Sequence, residues 1–139
     1  MSQAFVIDAS VGFAWLHPTQ ATPETEKLLE QVGNGAQVVV PSLWFIEIAN
    51  SLLVLQRRKK LTPDERKSAL ETLGALNLTV DEESAREAFR KVSELAEKHG
   101  LTAYDAVYLD LARYERLPLA SLDERLRAAA GQARVELLR

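Results

Sequence analysis

With 139 residues, 47% of them hydrophobic and 27% charged, the chain is long enough to bury one core without disulfides and is expected to form a single domain over residues 1–139. A net charge of −3 excludes a surface that coats nucleic acid by bulk electrostatics, and the lack of cysteine excludes thiolate metal sites and disulfides. No apolar run reaches the length of a membrane span, and Met1-Ser2-Gln3 leads straight into a strand-like run without a secretory pattern, so a cytoplasmic protein with no membrane association is expected.

The first such run is Ala4-Phe5-Val6-Ile7, followed by Asp8-Ala9-Ser10. Four apolar residues in succession read as a fully buried strand, and in open parallel sheets ligands bind just beyond the strands' carboxyl ends, where Asp8 falls. Ser10 to Leu16 reads as a short helix ended by Pro18, because proline disfavours helical geometry in the residue before it. Thr22-Pro23-Glu24-Thr25 carries the cap hydroxyl, first-turn proline and acid of a helix start, and Gly33-Asn34-Gly35 stops that helix near Val32. Gln37 to Val40 is a β-branched strand.

Leu43 to about Arg57 reads as the most apolar helix, opened by Pro41-Ser42 and expected to be buried nearly all round. Its polar residues Glu47, Asn50 and Ser51 share one narrow stripe, which has to face a polar pocket or a partner. After Arg57-Arg58-Lys59-Lys60, the sequence Thr62-Pro63-Asp64-Glu65 starts the second arm of a helical hairpin. Asn77 to Val80 reads as a third strand, with a long helix from Asp81 or Ser84 to Lys98 and another from Thr102 to about Arg116. Leu117 to Ser121 is a short strand delivering the chain to Asp123, Glu124 to Ala130 is helical, and Val135 to Leu138 reads as a last edge strand. This alternation predicts an α/β sandwich with a mainly parallel sheet.

Four acids stand in apolar surroundings: Asp8, Glu47, Asp105 and Asp123. Asp8 and Asp123 each precede a helix and could cap it, and Asp105 lies three residues after Thr102, as in a capping box. Glu47 sits in mid-helix among Trp44, Phe45, Ile46 and Ile48, where no cap role exists and a structural role would need a buried basic partner. Brought together, these carboxylates would repel one another and take up protons unless a cation neutralised them. Hard oxygen donors without cysteine or histidine favour Mg²⁺ or Mn²⁺, which would activate a water and stabilise the leaving oxygen of a phosphodiester.

Val6-Ile7-Asp8-Ala9-Ser10, Glu47-Ile48-Ala49-Asn50, Thr102-Ala103-Tyr104-Asp105-Ala106 and Ser121-Leu122-Asp123, in that order, resemble the four acidic motifs of PIN-domain ribonucleases, and in size and order those of VapC toxins. The resemblance implies a three-layer α/β/α sandwich and Mg²⁺- or Mn²⁺-dependent cleavage of RNA. It also implies a homodimer and inhibition by a VapB-type antitoxin. It places Asp8, Glu47, Asp105 and Asp123 at the metal site, with Ser10, Asn50 and Ser121 as supporting polar residues. Ser121 stands where the family commonly has threonine and keeps the hydroxyl.

The run Arg57, Arg58, Lys59 and Lys60 has two readings, an RNA phosphate contact and a solvated helix end suited to the negative pole of the dipole. His17 and His99 fall at helix ends and belong to no triad or metal spacing, so they read as structural. Phe13, Trp15, Trp44 and Phe45 read as core, although the apolar Leu43 to Leu55 segment also suits a subunit or partner interface. A different function class is a non-catalytic module whose acidic cleft pairs with a basic partner segment. A third is phosphoryl transfer through an aspartyl nucleophile, disfavoured because Asp8-Ala9-Ser10 lacks a second aspartate two residues on.

Overall fold

The computed structural model describes residues 3–138; Met1, Ser2 and Arg139, which the expected domain includes, lie outside it. Four strands form one sheet: β1 (Ala4–Ile7), β2 (Gln37–Pro41), β3 (Leu78–Asp81) and β4 (Leu119–Ala120), in the spatial order β3-β2-β1-β4. Every pairing is parallel, with Val6 opposite Val39 on one side and Leu119 on the other. Phe5, Val6, Ile7, Val38 and Val40 are completely buried, which explains why β1 and β2 are continuous apolar runs instead of alternating ones.

The chain steps outward from β1 to β2 to β3 through α1 (Ala9–Leu16), α2 (Pro23–Gly33), α3 (Leu43–Arg57) and α4 (Pro63–Gly74). It then returns across the sheet to β4 through α5 (Glu83–Arg86), α6 (Ser93–His99) and α7 (Ala103–Glu115), and finishes in α8 (Glu124–Gln132). Right-handed crossovers taken in opposite directions put the two sets of helices on opposite faces, which produces the three layers. Reversal of direction also makes a topological switch point between β1 and β4, and a crevice opens at their carboxyl ends. Asp8 follows β1 there and Ser121 follows β4.

Three sequence expectations need correction. The long helix expected up to Lys98 is broken into α5, a π-helical turn at Ala88–Val92, and α6, each packed against α7; the extra residue of the π turn shifts which face is presented to α7. Val135 to Leu138 forms only a bridge from Leu137 to Leu119, not a strand. The helix α3 is not buried all round: Trp44, Ile48 and Leu52 are buried, but Phe45 and Ile46 are 39% and 67% exposed. One apolar stripe suffices to pack α3 against α1 and the sheet, so its second apolar stripe remains open to solvent.

Gly12 on α1 shows how tightly that packing is set. A β-carbon at this position would stand 2.7 Å from Cζ2 of Trp44 and 3.1 Å from Cδ1 of Ile48. Glycine therefore lets α3 approach α1, and the indole nitrogen of Trp44 donates to the backbone carbonyl of Asp8 at 3.3 Å. Packing between two helices thus fixes the backbone at the crevice.

Candidate functional site

At the mouth of the crevice Asp8 is 4% exposed, and its carboxylate is held from three directions. Oδ1 accepts the Ser10 hydroxyl at 2.5 Å and the Val11 backbone N–H at 3.3 Å, while Oδ2 accepts the Ser121 hydroxyl at 2.5 Å. The Val11 contact makes Asp8 the N-cap of α1, the cap role that the sequence also allowed it. Both serines are fixed in turn: Ser10 Oγ accepts the N–H of Leu122 and Ser121 Oγ accepts the N–H of Asp123, both at 2.9 Å. Arg127 donates to the carbonyl of Ser121 at 3.0 Å. These bonds lock β4 and the start of α8 onto the end of β1.

The other acids arrive from separate elements. Glu47 lies half-buried on α3, and its Oε1 accepts the hydroxyl of Tyr108 from α7 at 2.5 Å. A purely structural role for Glu47 called for a buried basic partner; the partner found is a phenol. Asp105 stands in the first turn of α7, where Thr102 is the N-cap and accepts the Asp105 N–H at 3.1 Å. Asp123 caps α8, accepting the Leu126 N–H on Oδ1 at 3.0 Å.

The electrostatics join these residues. Burial, opposed by hydroxyl and N–H donors, pushes the Asp8 carboxyl above its ordinary range, and the charge of Asp105 adds to the rise. Burial also raises Glu47 against the pull of the Tyr108 hydroxyl, with further repulsion from Asp105 and Asp8. Asp105 is raised first by burial and then by Asp123. Tyr108 is pushed far up by burial and by Glu47, so its phenol remains a donor. None of the four acids has an ion-pair partner among the described residues. The site is a patch of coupled, uncompensated negative charge.

The donor set fits a hard divalent cation in chemistry, charge and available lone pairs. Oδ1 of Asp8 has both acceptor positions used, whereas its Oδ2 retains one, and among the described residues nothing hydrogen-bonds to Oε2 of Glu47 or Oδ2 of Asp123. Among the described residues no three of these side chains are already gathered as a ligand set around one point. An ion held by one or two carboxylates directly and by the rest through water suits this spread, which is the usual habit of Mg²⁺.

The remaining sequence candidates lie apart. Asn50 is exposed on α3 and makes none of the site's hydrogen bonds, while Arg57, Arg58, Lys59 and Lys60 are exposed at the far end of that helix. Arg57 lies ten residues beyond Glu47, about 15 Å along the helix. His17 bonds Thr19 and stacks on Phe13, and His99 bonds Gln132, so both histidines are engaged in local structure. The sequence did not mark Tyr108 or Arg127 and read Trp44 only as core, because a helical apolar position carries no mark of a partner 36 residues away for Trp44 or 61 for Tyr108, and a lone arginine carries none of a carbonyl six residues back.

A family model for the PIN domain matches residues 5–132. The chain belongs to the PIN-domain family. It is 32% identical over 121 residues to Ribonuclease VapC3 of Pyrobaculum aerophilum, covering 87% of this chain and 90% of that one. In fold it is similar to the crystal structure of PAE2754 from the same organism, with a TM-score of 0.70 and 21% identity over 93% of this chain and 86% of that one. It is also similar to VapBC2 from Rickettsia felis, solved with a DNA fragment from the promoter, with a TM-score of 0.68 and 13% identity over 97% of each chain. The PIN fold thus accounts for the parallel sheet and for the crevice between β1 and β4.

Proposed function

We propose that this PIN-domain protein is a metal-dependent endoribonuclease and the toxin of a toxin–antitoxin pair. The observation that supports the reading is that Asp8, Glu47, Asp105 and Asp123 come from four separate elements, influence one another's charge in the chain Glu47–Asp8–Asp105–Asp123, and have no ion-pair partner among the described residues. The 32% identity to Ribonuclease VapC3 supports RNA as the substrate. A bound Mg²⁺ or Mn²⁺ would supply Lewis-acid activation of water and neutralise charge on the phosphodiester.

The chain's own residues hold and orient. Ser10, Ser121 and the Val11 N–H fix the Asp8 carboxylate and leave one acceptor position on Oδ2, and Tyr108 holds Glu47 through Oε1, leaving Oε2 for a cation. Asp105 and Asp123, less enclosed, would help hold the cation, with Ser10 and Ser121 as the supporting hydroxyls. The exposed apolar stripe of Phe45 and Ile46 beside Glu47 supports a homodimer or a VapB-type antitoxin at this face, and VapBC2 is an instance of the fold joined to such a partner.

The test is cleavage of total RNA by wild type and by Asp8→Asn, each with Mg²⁺ and with EDTA. Cleavage that needs Mg²⁺ and disappears in the variant is expected; metal-independent cleavage, or full activity in the variant, refutes the reading. A second reading, a non-catalytic module whose acidic cleft receives a basic segment, is favoured by the lack of a pre-gathered ligand set among the described residues. It predicts no cleavage under any metal and tight binding of a cationic peptide.

A further inference from the structure

The end of the molecule opposite the acids carries the reverse charge. Two adjacent cavities open there, of about 460 and 340 Å³, and both are lined by Arg113. Lys91 and Lys98 join Arg113 around the larger, and Arg116 and Arg134 join it around the smaller. None of these five cations forms an ion pair within 4.0 Å among the described residues. The acids lining the same cavities are Glu94, Asp110 and Glu136, and Asp110 is only 8% exposed, so it offers little of its charge to solvent. Five cations and three acids line these two cavities of a chain whose net charge is −3.

Two further features set the face apart. Arg116 and Arg134 hold left-handed backbone conformations, with φ of 56° and 60°, at helix ends where glycine would fit without steric cost. The larger cavity is also lined by an aromatic ring, Tyr114, which is 60% exposed with the Lys91 ammonium 5.6 Å from its ring centre. Arginine forks over concave surface suit phosphodiester oxygens, and exposed rings suit unstacked bases.

We infer that this face is a second RNA-binding site, in which Lys91, Lys98, Arg113, Arg116 and Arg134 grip backbone phosphates of the substrate away from the acidic crevice. The inference rests on the ribonuclease reading for the identity of the polyanion. Arg113 and Arg116 lie eight and eleven residues beyond Asp105, about 12 and 16 Å along the helix direction. A stacked strand advances about 3.4 Å per nucleotide, so a substrate needs at least about four nucleotides beyond the cut to reach the face.

The test compares wild type with Lys98→Ala, Arg113→Ala and the Arg113→Ala/Arg116→Asn pair. All three positions are exposed, and asparagine tolerates the left-handed conformation. Binding of a 20-nucleotide RNA is measured by fluorescence anisotropy in EDTA from 50 to 200 mM salt. Each single variant is expected to weaken binding several-fold and to reduce the salt slope by about one, and the double variant by about two. In Mg²⁺, KM for the 20-mer rises while cleavage of a trinucleotide is unchanged. Affinity and salt slope equal to wild type overturn the inference, as does a changed oligomeric state with unaltered RNA affinity, which assigns the face to protein contact. Failure of the ribonuclease reading shows separately, as absence of cleavage in wild type, while the anisotropy arm still reports on the face.

Discussion

Replacing Tyr108 by phenylalanine removes one oxygen atom and isolates how Glu47 is held. The hydroxyl donates to Oε1 of Glu47 at 2.5 Å from a ring that is 1% exposed, and burial keeps the phenol protonated. A bond to an ionised acceptor contributes about 1.5 to 3 kcal/mol when buried, and about 1 to 2 kcal/mol is appropriate for a half-buried glutamate. For a domain of this size that lowers the melting temperature by about 3 to 8 °C at neutral pH. The sign with pH follows from the charge: the hydroxyl favours ionised Glu47 and opposes the rise caused by burial, so its loss raises the Glu47 pKa further. The acid limb of the pH–rate profile therefore moves to higher pH, and the melting difference between variant and wild type is smaller at pH 4, where Glu47 is protonated, than at pH 7. Thermal melts at both pH values and a pH–rate profile at fixed Mg²⁺ check this. An equal melting difference at both pH values together with an unmoved acid limb would refute the account of Glu47.

Divalent cation should stabilise the protein, most strongly at alkaline pH. Asp8, Glu47 and Asp105 have pKa values raised in the fold, so their contribution to metal-free stability is present below the unfolded values near 4 and is lost as pH rises through the folded ones. Mg²⁺ at a hundred times its dissociation constant adds about 2.7 kcal/mol, or about 8 to 11 °C in melting temperature, at pH 8. A gain that is absent, or larger at pH 5 than at pH 8, would contradict the proposed site. Substituting Gly12→Ala forces the Trp44 ring aside: overpacking costs about 1 to 3 kcal/mol, of which alanine's helix propensity returns up to about 1 kcal/mol. Calorimetry should show a less stable variant with reduced activity, because Trp44 anchors the backbone of Asp8; a variant melting above wild type would show that the helices simply separate.

The element pattern was legible because each segment carries its own local physics. Buried parallel strands must be continuously apolar, and Thr62-Pro63 or Thr22-Pro23 starts a helix wherever it occurs. The four acids were legible for a related reason, since a carboxylate in an apolar segment needs explaining from sequence alone. Local pattern could not say which side of α3 would be covered: Leu43 to Leu55 is apolar on two stripes, and only the positions of α1 and the sheet leave Phe45 and Ile46 outside. Nor could it show the break between α5 and α6, which follows from packing against α7.

The sequence by itself determined most of the strand and helix order and the PIN membership, because each rests on residue type at short spacing. Only the tertiary structure decided what each acid touches. Asp8 meets Ser121 across 113 residues and Glu47 meets Tyr108 across 61, since the parallel sheet and its switch point bring together segments that no local spacing relates. The same folding gathered Lys91, Lys98, Arg113, Arg116 and Arg134 at the opposite end, from positions spread between residues 91 and 134.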